Sequence, residues 1–122
     1  MNNNRRIEKV SSLLKKEISL ILNNDLNDNL ILENFVSVTK IDLSGDLQHS
    51  KVFISTSAEE KIKQLILENL NSAKNKIRFL LSQRVQMRRI PDLVFKIDRV
   101  FDQGLAVLKV LDQLREKNDS KN

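Results

Sequence analysis

The sequence predicts an α+β fold in which helices pack on one face of a small three-stranded sheet. Three observations lead to this prediction. Near the N-terminus, apolar residues recur every three or four positions, as on one face of a helix. Two β-rich runs flank the turn signal Gly45-Asp46, and an alternating run follows Pro91, the only proline. A long stretch with helical periodicity separates these strands, so the predicted order is helix, strand, strand, helix, kink, helix, strand and a C-terminal extension.

The first helix is predicted over residues 5–22. Its apolar positions are Ile7, Val10, Leu14, Ile18 and Ile21. This spacing gives one apolar stripe that faces a core. Residues 23–29 are rich in asparagine and aspartate, whose side chains compete for backbone hydrogen bonds, so a connecting loop is predicted there.

Two strands are predicted next, over residues 35–43 and 50–56. The apolar residues of the first fall into two pairs of opposite parity, Val36 with Val38 and Ile41 with Leu43. We therefore expect a bulge or bend near Thr39-Lys40, because both pairs can then be buried. Val52 and Ile54 lie on one face of the second strand, and the Gly45-Asp46 turn makes the two strands a hairpin.

Two helices are predicted after the hairpin. Ser57 and Glu60 have the spacing of a capping box, which indicates a helix start. The first apolar stripe comprises Ile62, Leu65, Ile66, Leu70 and Ala73, and the second comprises Ile77, Leu80, Leu81 and Val85. Asn75 stands between the stripes and tolerates left-handed geometry, so a kink is predicted there. The second helix must end before Arg89 or Ile90, because Pro91 cannot continue it.

The third strand is predicted where Leu93, Phe95 and Ile97 alternate with more polar residues. Gly104 is expected to interrupt the chain after it. Residues 1–104 are therefore predicted to form one domain, and residues 105–122 an extension. The extension is expected to hold a short amphipathic helix and, from Lys117, a disordered tail. The apolar residues of that helix are Val107, Leu108, Leu111 and Leu114.

Composition argues against several classes of function. The 122 residues include no cysteine, which excludes disulfides, thiolate metal sites and cysteine nucleophiles. Neither glycine begins a phosphate-binding loop, and His49 lacks a catalytic partner in the sequence, so it is interpreted as a surface or structural residue. We expect no catalytic residue, no metal site, no cofactor and no membrane partner. A soluble, cytoplasmic protein is expected, and a nuclease is a distant alternative.

The charge is localised. Lys plus Arg is 21 and Asp plus Glu is 16, which gives a net charge of +5 and favours a polyanionic partner. Between residues 74 and 89 there are six cations and no acidic residue; they are Lys74, Lys76, Arg78, Arg84, Arg88 and Arg89. A helix that starts just after Asn75 would direct its free amides toward a phosphate between the first three. The alternative is a solvated helix face.

Several aromatic and basic residues have two interpretations. Arg84 lies on the apolar stripe, where a snorkelling or ion-paired arginine is as good an interpretation as an RNA contact. Phe79 lies away from the stripe and is expected to pack under the C-terminal extension rather than to stack on a base. Arg5, Arg6 and Lys51 would extend the positive surface if the fold brings them close. The absence of Trp and Tyr leaves too few aromatics for the multiple stacking of an RNA recognition motif.

Three stretches of the chain form a recognisable series. They are residues 5–10, residues 36–55 and Arg88-Arg89-Ile90-Pro91-Asp92-Leu93-Val94-Phe95-Lys96-Ile97-Asp98. In this order they resemble the N-terminal helix, the hairpin signature and the Arg-x-x-Pro-Glu-Leu-x-Phe-x-x-Asp block of the ribosome-binding factor A family. The resemblance implies a type II KH-like domain of order α-β-β-α-kink-α-β. The family has an Ala-x-Gly kink, which matches Ala73-Lys74-Asn75 here with Asn in place of Gly.

The resemblance also implies a function. A member of this family is expected to bind the free 30S subunit and its 16S rRNA as a monomer. It supports late maturation, including 16S rRNA 5′-end processing, and cold adaptation, and it is not the nuclease. The expected RNA-binding residues are Lys74, Lys76, Arg78, Arg84, Arg88, Arg89, Arg5, Arg6 and Lys51. The alternative function is a protein-interaction adaptor whose C-terminal helix docks into a partner groove.

Overall fold

The computed structural model describes residues 2–119, and within them the side chains of residues 4–104 and 107–115. The elements in chain order are α1 (Asn2–Leu20), a π-helix (Ile21–Asp25), α2 (Asn29–Glu33), β1 (Ser37–Leu43), β2 (His49–Ser55), α3 (Glu60–Ser72), α4 (Lys74–Arg84), β3 (Asp92–Ile97) and α5 (Arg99–Asp119). The predicted α+β class is confirmed, and so is the order of the predicted helices and strands. The π-helix and α2 are additions to it.

The three strands form one sheet in the order β1-β2-β3. Strands β1 and β2 pair antiparallel as the predicted hairpin, and β2 and β3 pair parallel. The β1–β2 register shifts between Val38 and Lys40, so the predicted bulge is confirmed and Thr39 is the extra residue. Because parallel strands cannot be joined by a tight turn, the chain between β2 and β3 must cross over, and α3 and α4 form that crossover.

The core lies between the sheet and helices α1, α3 and α4. Val52 and Ile54 of β2 have no exposed surface, and the same holds for Ile66 of α3 and Ile77 of α4. The prediction that Leu65 lies on the buried stripe of α3 is wrong, because 47% of this residue is exposed. The buried line follows a spacing of four residues along the helix, and Leu65 falls beside that line.

Asn71 closes the outer edge of the sheet. Its side-chain amide donates to the carbonyl of Phe95 at 3.3 Å, and its side-chain oxygen accepts from the amide of Phe95 at 3.0 Å. Strand β3 is an edge strand, so these backbone groups face away from β2 and would otherwise lack a partner within the sheet. The C-terminal end of α3 is thereby fixed to the middle of β3.

The kink lies at Ala73, which is the first residue of the expected Ala73-Lys74-Asn75 triplet and two residues before Asn75. Helix α3 ends at Ser72, Ala73 has φ −91° and ψ 4°, and α4 begins at Lys74. Asn75 is therefore a helical residue in the first turn of α4. Its φ is not positive, so the prediction of a left-handed kink at Asn75 is wrong. The two helices meet through a single non-helical residue that needs no glycine.

The predicted capping box does not form. Glu59 occupies the N-cap position of α3, and no side-chain hydrogen bond caps the helix there. Glu60 instead accepts hydrogen bonds from the guanidinium of Arg99 at the start of α5, 39 residues along the chain. These bonds lower the pKa of Glu60 to about 2. Helix α3 thus starts two residues too late for Ser57 to be its N-cap, and the Glu60 carboxylate pairs with α5 instead.

The segment predicted as a loop after the first helix, residues 23–29, is non-helical only over residues 26–28. The π-helix extends α1 to Asp25, and the carboxylate of Asp28 caps α2 by accepting from the amide of Ile31 at 3.2 Å. Leu22 and Ile31 are 1% exposed. Burial of these apolar side chains overrides the loop preference of the intervening asparagine and aspartate residues.

Helix α5 runs without a break through Gly104, so the predicted interruption is wrong. Asp98 begins the helix by accepting from the amide of Phe101 at 2.9 Å and from the hydroxyl of Thr39 at 2.6 Å. Both bonds lower the pKa of Asp98. A glycine costs a helix only about 1 kcal/mol, which does not stop it. The predicted tail begins at Lys117; residues 117–119 belong to α5, and residues 120–122 lie outside the described residues.

The first turn of α5 is anchored to the rest of the protein by Asp102. One oxygen of its carboxylate accepts from the Ser55 hydroxyl at 2.9 Å, and the other lies 2.9 Å from Nζ of Lys63. The Lys63 and Asp102 side chains are only 14% and 17% exposed. Farther along α5, Leu108 and Leu111 are more than half exposed. No helix in the described part of the chain is long and apolar enough to cross a membrane.

Replacing the Asp102 carboxylate should loosen α5. In Asp102→Asn the mostly buried Lys63 ammonium loses its charge partner, and we expect the free energy of unfolding to fall by about 2 kcal/mol. Urea denaturation measures this loss. Asp112→Asn changes an exposed carboxylate on the same helix and should stay within about 0.5 kcal/mol of the original protein. Equal stability of the two variants would contradict the anchoring assigned to Asp102.

Candidate nucleic-acid interface

The start of α4 collects positive charge at an exposed helix end. Lys74 and Lys76 are exposed in its first turn, and no side chain caps the helix at Ala73. The free amides and the positive end of the helix dipole therefore add to the charge of the two lysines. We call Lys74, Lys76 and Arg78 the kink cluster. Helix α4 starts earlier than predicted, which brings both lysines into its first turn.

Arg78 has a structural contact as well as a charge. One terminal nitrogen donates to the carbonyl of Ile90 at 2.9 Å, and the other lies 3.4 Å from the carboxylate of Asp92. Its Nε is buried and has no hydrogen-bond partner among the described residues. The side chain thus ties α4 to the segment that enters β3. The basic segment holds no acidic residue of its own, but the fold brings Asp92, which lies outside the segment, to Arg78.

Arg84 is ion-paired. Its Nε donates to the carboxylate of Asp25 at 3.0 Å, and a terminal nitrogen lies 3.3 Å from the carboxylate of Glu17. The hydrogen bonds to Asp25, more than those to Glu17, raise the pKa of Arg84 above its ordinary value. Of the two interpretations left open by the sequence, the structure shows the ion pair. Arg84 joins the end of α4 to α1 and the π-helix.

Arg88 and Arg89 lie in the loop between α4 and β3, and both are exposed. Helix α4 ends at Arg84 and Val85 is extended, which confirms that the helix stops before Arg89. A terminal nitrogen of Arg89 lies 3.5 Å from the side-chain oxygen of Gln48, beside the β1–β2 turn. The pair adds positive charge near the N-terminal end of β3.

A cavity of about 350 Å³ separates α4 from the sheet edge. Lys74 and Arg78 line one side, and His49, Asp92 and Val94 line the other. A second depression of about 290 Å³ is lined by Lys51 and shares His49 and Val94 with the first. The structure therefore brings Lys51 next to the kink cluster.

Arg5 and Arg6 are not brought into this group. They are exposed near the start of α1, and the clefts that they line consist of α1 residues alone. They form a separate basic patch with Lys9.

The structure tests the sequence interpretation of two further residues, Phe79 and His49. Phe79 is 63% exposed, so its predicted packing under the C-terminal extension is wrong. The hydrogen bonds described for α5 anchor it to β2 and α3, on which Phe79 does not lie. His49 lies on the surface, at the border of the two depressions, with its Nδ1 3.7 Å from the Asp92 carboxylate. The alternation of inward and outward side chains along β2 is enough to predict that His49 is exposed.

The chain is similar to proteins of one family. A family model described as ribosome-binding factor A matches residues 6–111. A protein of Prochlorococcus marinus (strain AS9601) with the same name is 58% identical over 122 residues, which covers 100% of this chain and 94% of that protein. The sequence resemblance is therefore confirmed over the full chain.

Solved structures give the same result. The crystal structure of ribosome-binding factor A from Thermus thermophilus aligns with a TM-score of 0.64 and 26% identity, over 75% of this chain and 94% of that one. A homology model of the Thermus thermophilus factor, fitted into a cryo-EM map of its complex with 30S, aligns with a TM-score of 0.60 and 28% identity, over 73% and 91%. The expected KH-like fold is confirmed.

Substitutions at Arg84 and Arg88 should distinguish an arginine that stabilises the fold from one that does not. Arg84→Gln removes the contacts to Asp25 and Glu17, so we expect its thermal midpoint to fall by a few degrees. Arg88→Gln removes an exposed cation of the same type and should leave the midpoint unchanged. Differential scanning calorimetry at low ionic strength provides the measurement, and added salt should shrink the difference. Equal thermal midpoints for the Arg84→Gln and Arg88→Gln variants would show that the ion pairs of Arg84 do not stabilise the fold.

Proposed function

Because this chain belongs to the ribosome-binding factor A family, we propose that it binds the 30S ribosomal subunit through its 16S rRNA and assists subunit maturation without catalysing a reaction. The family name and the fitting of a similar protein into a 30S complex support this proposal. The observation in this chain that carries it is the exposed positive charge of Lys74 and Lys76 at an uncapped helix start.

The contacts described above support different roles for the individual predicted RNA-binding residues. Lys74 and Lys76 bind phosphates together with the first amides of α4, and Arg88 and Arg89 widen the contact. Lys51 on β2 extends the phosphate contact beyond the edge strand β3. Arg78 holds α4 in position, and its positive charge adds to the phosphate contact. Arg84 holds the helix in place, and we assign it no phosphate. Arg5 and Arg6 offer a second, separate contact.

The physical mechanism would be differential binding. Phosphate contacts give affinity for RNA in general, and the fixed spacing of the cations selects one arrangement of the strands. A protein that binds the immature arrangement more tightly shifts the population toward it, and leaves when the mature arrangement binds less well. We propose that this activity supports late maturation, including 16S rRNA 5′-end processing, and that it contributes to cold adaptation. It would take place in the cytoplasm, with the protein as a monomer.

The geometry around His49 supports a non-catalytic protein. Its Nδ1 lies 3.7 Å from the Asp92 carboxylate, which is longer than a hydrogen bond, and 67% of the imidazole side chain is exposed. Asp92 therefore does not fix the orientation of the ring as a catalytic pair requires. Within the described residues, no three acidic or histidine side chains form a group that could hold a metal ion. Cleavage of rRNA would then belong to another protein.

Charge reversal at the start of α4 tests the proposal. Lys74→Glu combined with Lys76→Glu should abolish most cosedimentation with 30S subunits, because it removes phosphate contacts and adds repulsion. Neither lysine takes part in an ion pair among the described residues, so the thermal midpoint should change little. Arg78 is left intact because its contacts to Ile90 and Asp92 support the fold.

The matched control carries Lys16→Glu and Lys61→Glu, two exposed positions on α1 and α3. It has the same net charge and should bind as the original protein does. Binding of the original protein should fall steeply across a salt series and should favour 30S over 70S particles. If both double variants lose 30S binding equally, net charge and not the position of the kink cluster determines binding. If the Lys74/Lys76 variant binds as well as the original protein, the assigned contact is wrong.

A protein-interaction adaptor is the second candidate. Leu108 and Leu111 on α5 are 59% and 55% exposed, which is typical of a helix that docks into a groove. If α5 supplies the ribosome contact, Leu108→Gln with Leu111→Gln should abolish 30S cosedimentation. The rRNA proposal predicts that this variant still binds. Lys109→Gln with Asp112→Asn alters the neighbouring exposed positions on the helix and is its control.

A further inference from the structure

The sheet has a second face, opposite the helices, with a distinct arrangement of side chains. On each strand the residues between the buried positions point to this open face. The register pairs Lys40 with Phe53 and Phe53 with Lys96, so one row across all three strands places an aromatic ring between two lysines. The next row consists of Asp42, Lys51 and Val94.

The ring of Phe53 is reachable from solvent. The side chain is partly exposed, and Nζ of Lys40 lies 5.4 Å from the ring centroid. A flexible, exposed lysine therefore occupies the position over the ring that a planar group would take. The ring and Lys40 line a cavity of about 500 Å³, and Phe101 of α5 lines it too. Phe101 is 45% exposed.

The charge of this face favours a polyanion. Lys40, Lys51 and Lys96 lie there, and Asp42 is the acidic residue within the two rows. At the edge of the cavity, the carboxylate of Asp98 is occupied by the Thr39 hydroxyl and the Phe101 amide. An apolar protein segment laid on this face would remove three ammonium groups from water without pairing them, which is costly. Phosphates would pair them.

The open face is continuous with the kink cluster. Val94 lies in the second row of the face and also lines the cavity of Lys74 and Arg78. Lys51 of the same row lines the depression that His49 shares with that cavity. The positive surface thus passes from the start of α4, around the edge strand β3, to Phe53. A chain of phosphates that follows this surface passes two carboxylates, that of Asp92, which lies 3.4 Å from Arg78, and that of Asp42 in the second row.

We propose that the open sheet face is a second RNA-binding surface that holds a single-stranded segment, with one base stacked on Phe53 and phosphates bound by Lys40, Lys51 and Lys96. The proposal rests on the function proposed above, since the strand would belong to the same rRNA. The base must be unpaired, because a ring lying between two lysines on a sheet admits only a base that has left its helix. Lys40 moves from the ring to a phosphate when the base arrives.

The test uses the full chain and a fluorescein-labelled oligouridylate, with binding followed by fluorescence anisotropy. Lys40→Gln with Lys96→Gln should lower affinity roughly tenfold and reduce the salt dependence by about 1.4 in the log–log slope, as the loss of two single-strand phosphate contacts requires. Lys16→Gln with Lys61→Gln removes the same charge elsewhere and should bind as the original protein does. Equal binding by the two double variants overturns the proposal.

Stacking on the ring is tested separately. Phe53→Leu should weaken binding roughly fivefold with an unchanged salt slope, since a stacked base adds affinity without neutralising a phosphate. Because the chain has no tryptophan, Phe53→Trp introduces a single reporter whose emission the stacked base should quench. Because the readout is tryptophan emission, the Phe53→Trp variant is informative even if its affinity for oligouridylate does not change. Oligouridylate that binds without quenching overturns the stacking contact.

The two proposals fail in different ways. If the Lys74/Lys76 charge-reversal variant keeps its 30S binding, the proposed contact at α4 is wrong, whatever the oligouridylate result. If the sheet variants bind oligouridylate normally and instead lose a copurifying protein, the open face binds a protein and the RNA proposal is wrong. If the sheet variants lose oligouridylate but the α4 contact survives its own test, both surfaces bind RNA.

Discussion

The parallel pairing of β2 with β3 is the constraint on which the arrangement of the positive surface depends. A parallel pair needs a crossover, and here the crossover consists of two helices joined at Ala73. Both helices are fixed to the incoming strand, since Asn71 of α3 bonds the backbone of Phe95 and Arg78 of α4 bonds the carbonyl of Ile90. The junction between them must then lie beside the sheet edge, with its lysines outward.

The tertiary fold sorts the cations of the basic segment into two kinds. Arg84 meets carboxylates from α1 and the π-helix, and Arg78 meets Asp92. Lys74 and Lys76 have no such partner among the described residues, and they lie where the helix dipole is positive. A count of charges along the sequence treats all of these residues alike. Their availability to a phosphate depends on acids that lie 14 to 67 residues away in the chain.

The parts of the fold that the sequence predicts correctly are those decided by short-range periodicity. The three strands, the Thr39 bulge and the end of α4 before Pro91 follow from alternation, parity and proline chemistry. The capping box does not form because α3 starts two residues too late for Ser57 to be its N-cap, and Glu60 pairs with Arg99 instead. Gly104 does not break α5, because a glycine costs a helix only about 1 kcal/mol and Asp98 and Asp102 anchor this helix from its start. In both cases the outcome depends on contacts between residues far apart in the chain.

The same reasoning applies to the site. Lys74 and Lys76 could be identified from the sequence because an unneutralised basic run at a helix start is a local feature. The neighbourhood of Lys51 could not, since it depends on the register of β2 with β3, which sets Lys51 beside Val94. The row of Lys40, Phe53 and Lys96 requires the bulge as well, because Lys40 would share the inward face of Val38 if Thr39 held a regular position in the ladder. The bulge at Thr39 therefore both directs Leu43 into the core and places Lys40 on the open face.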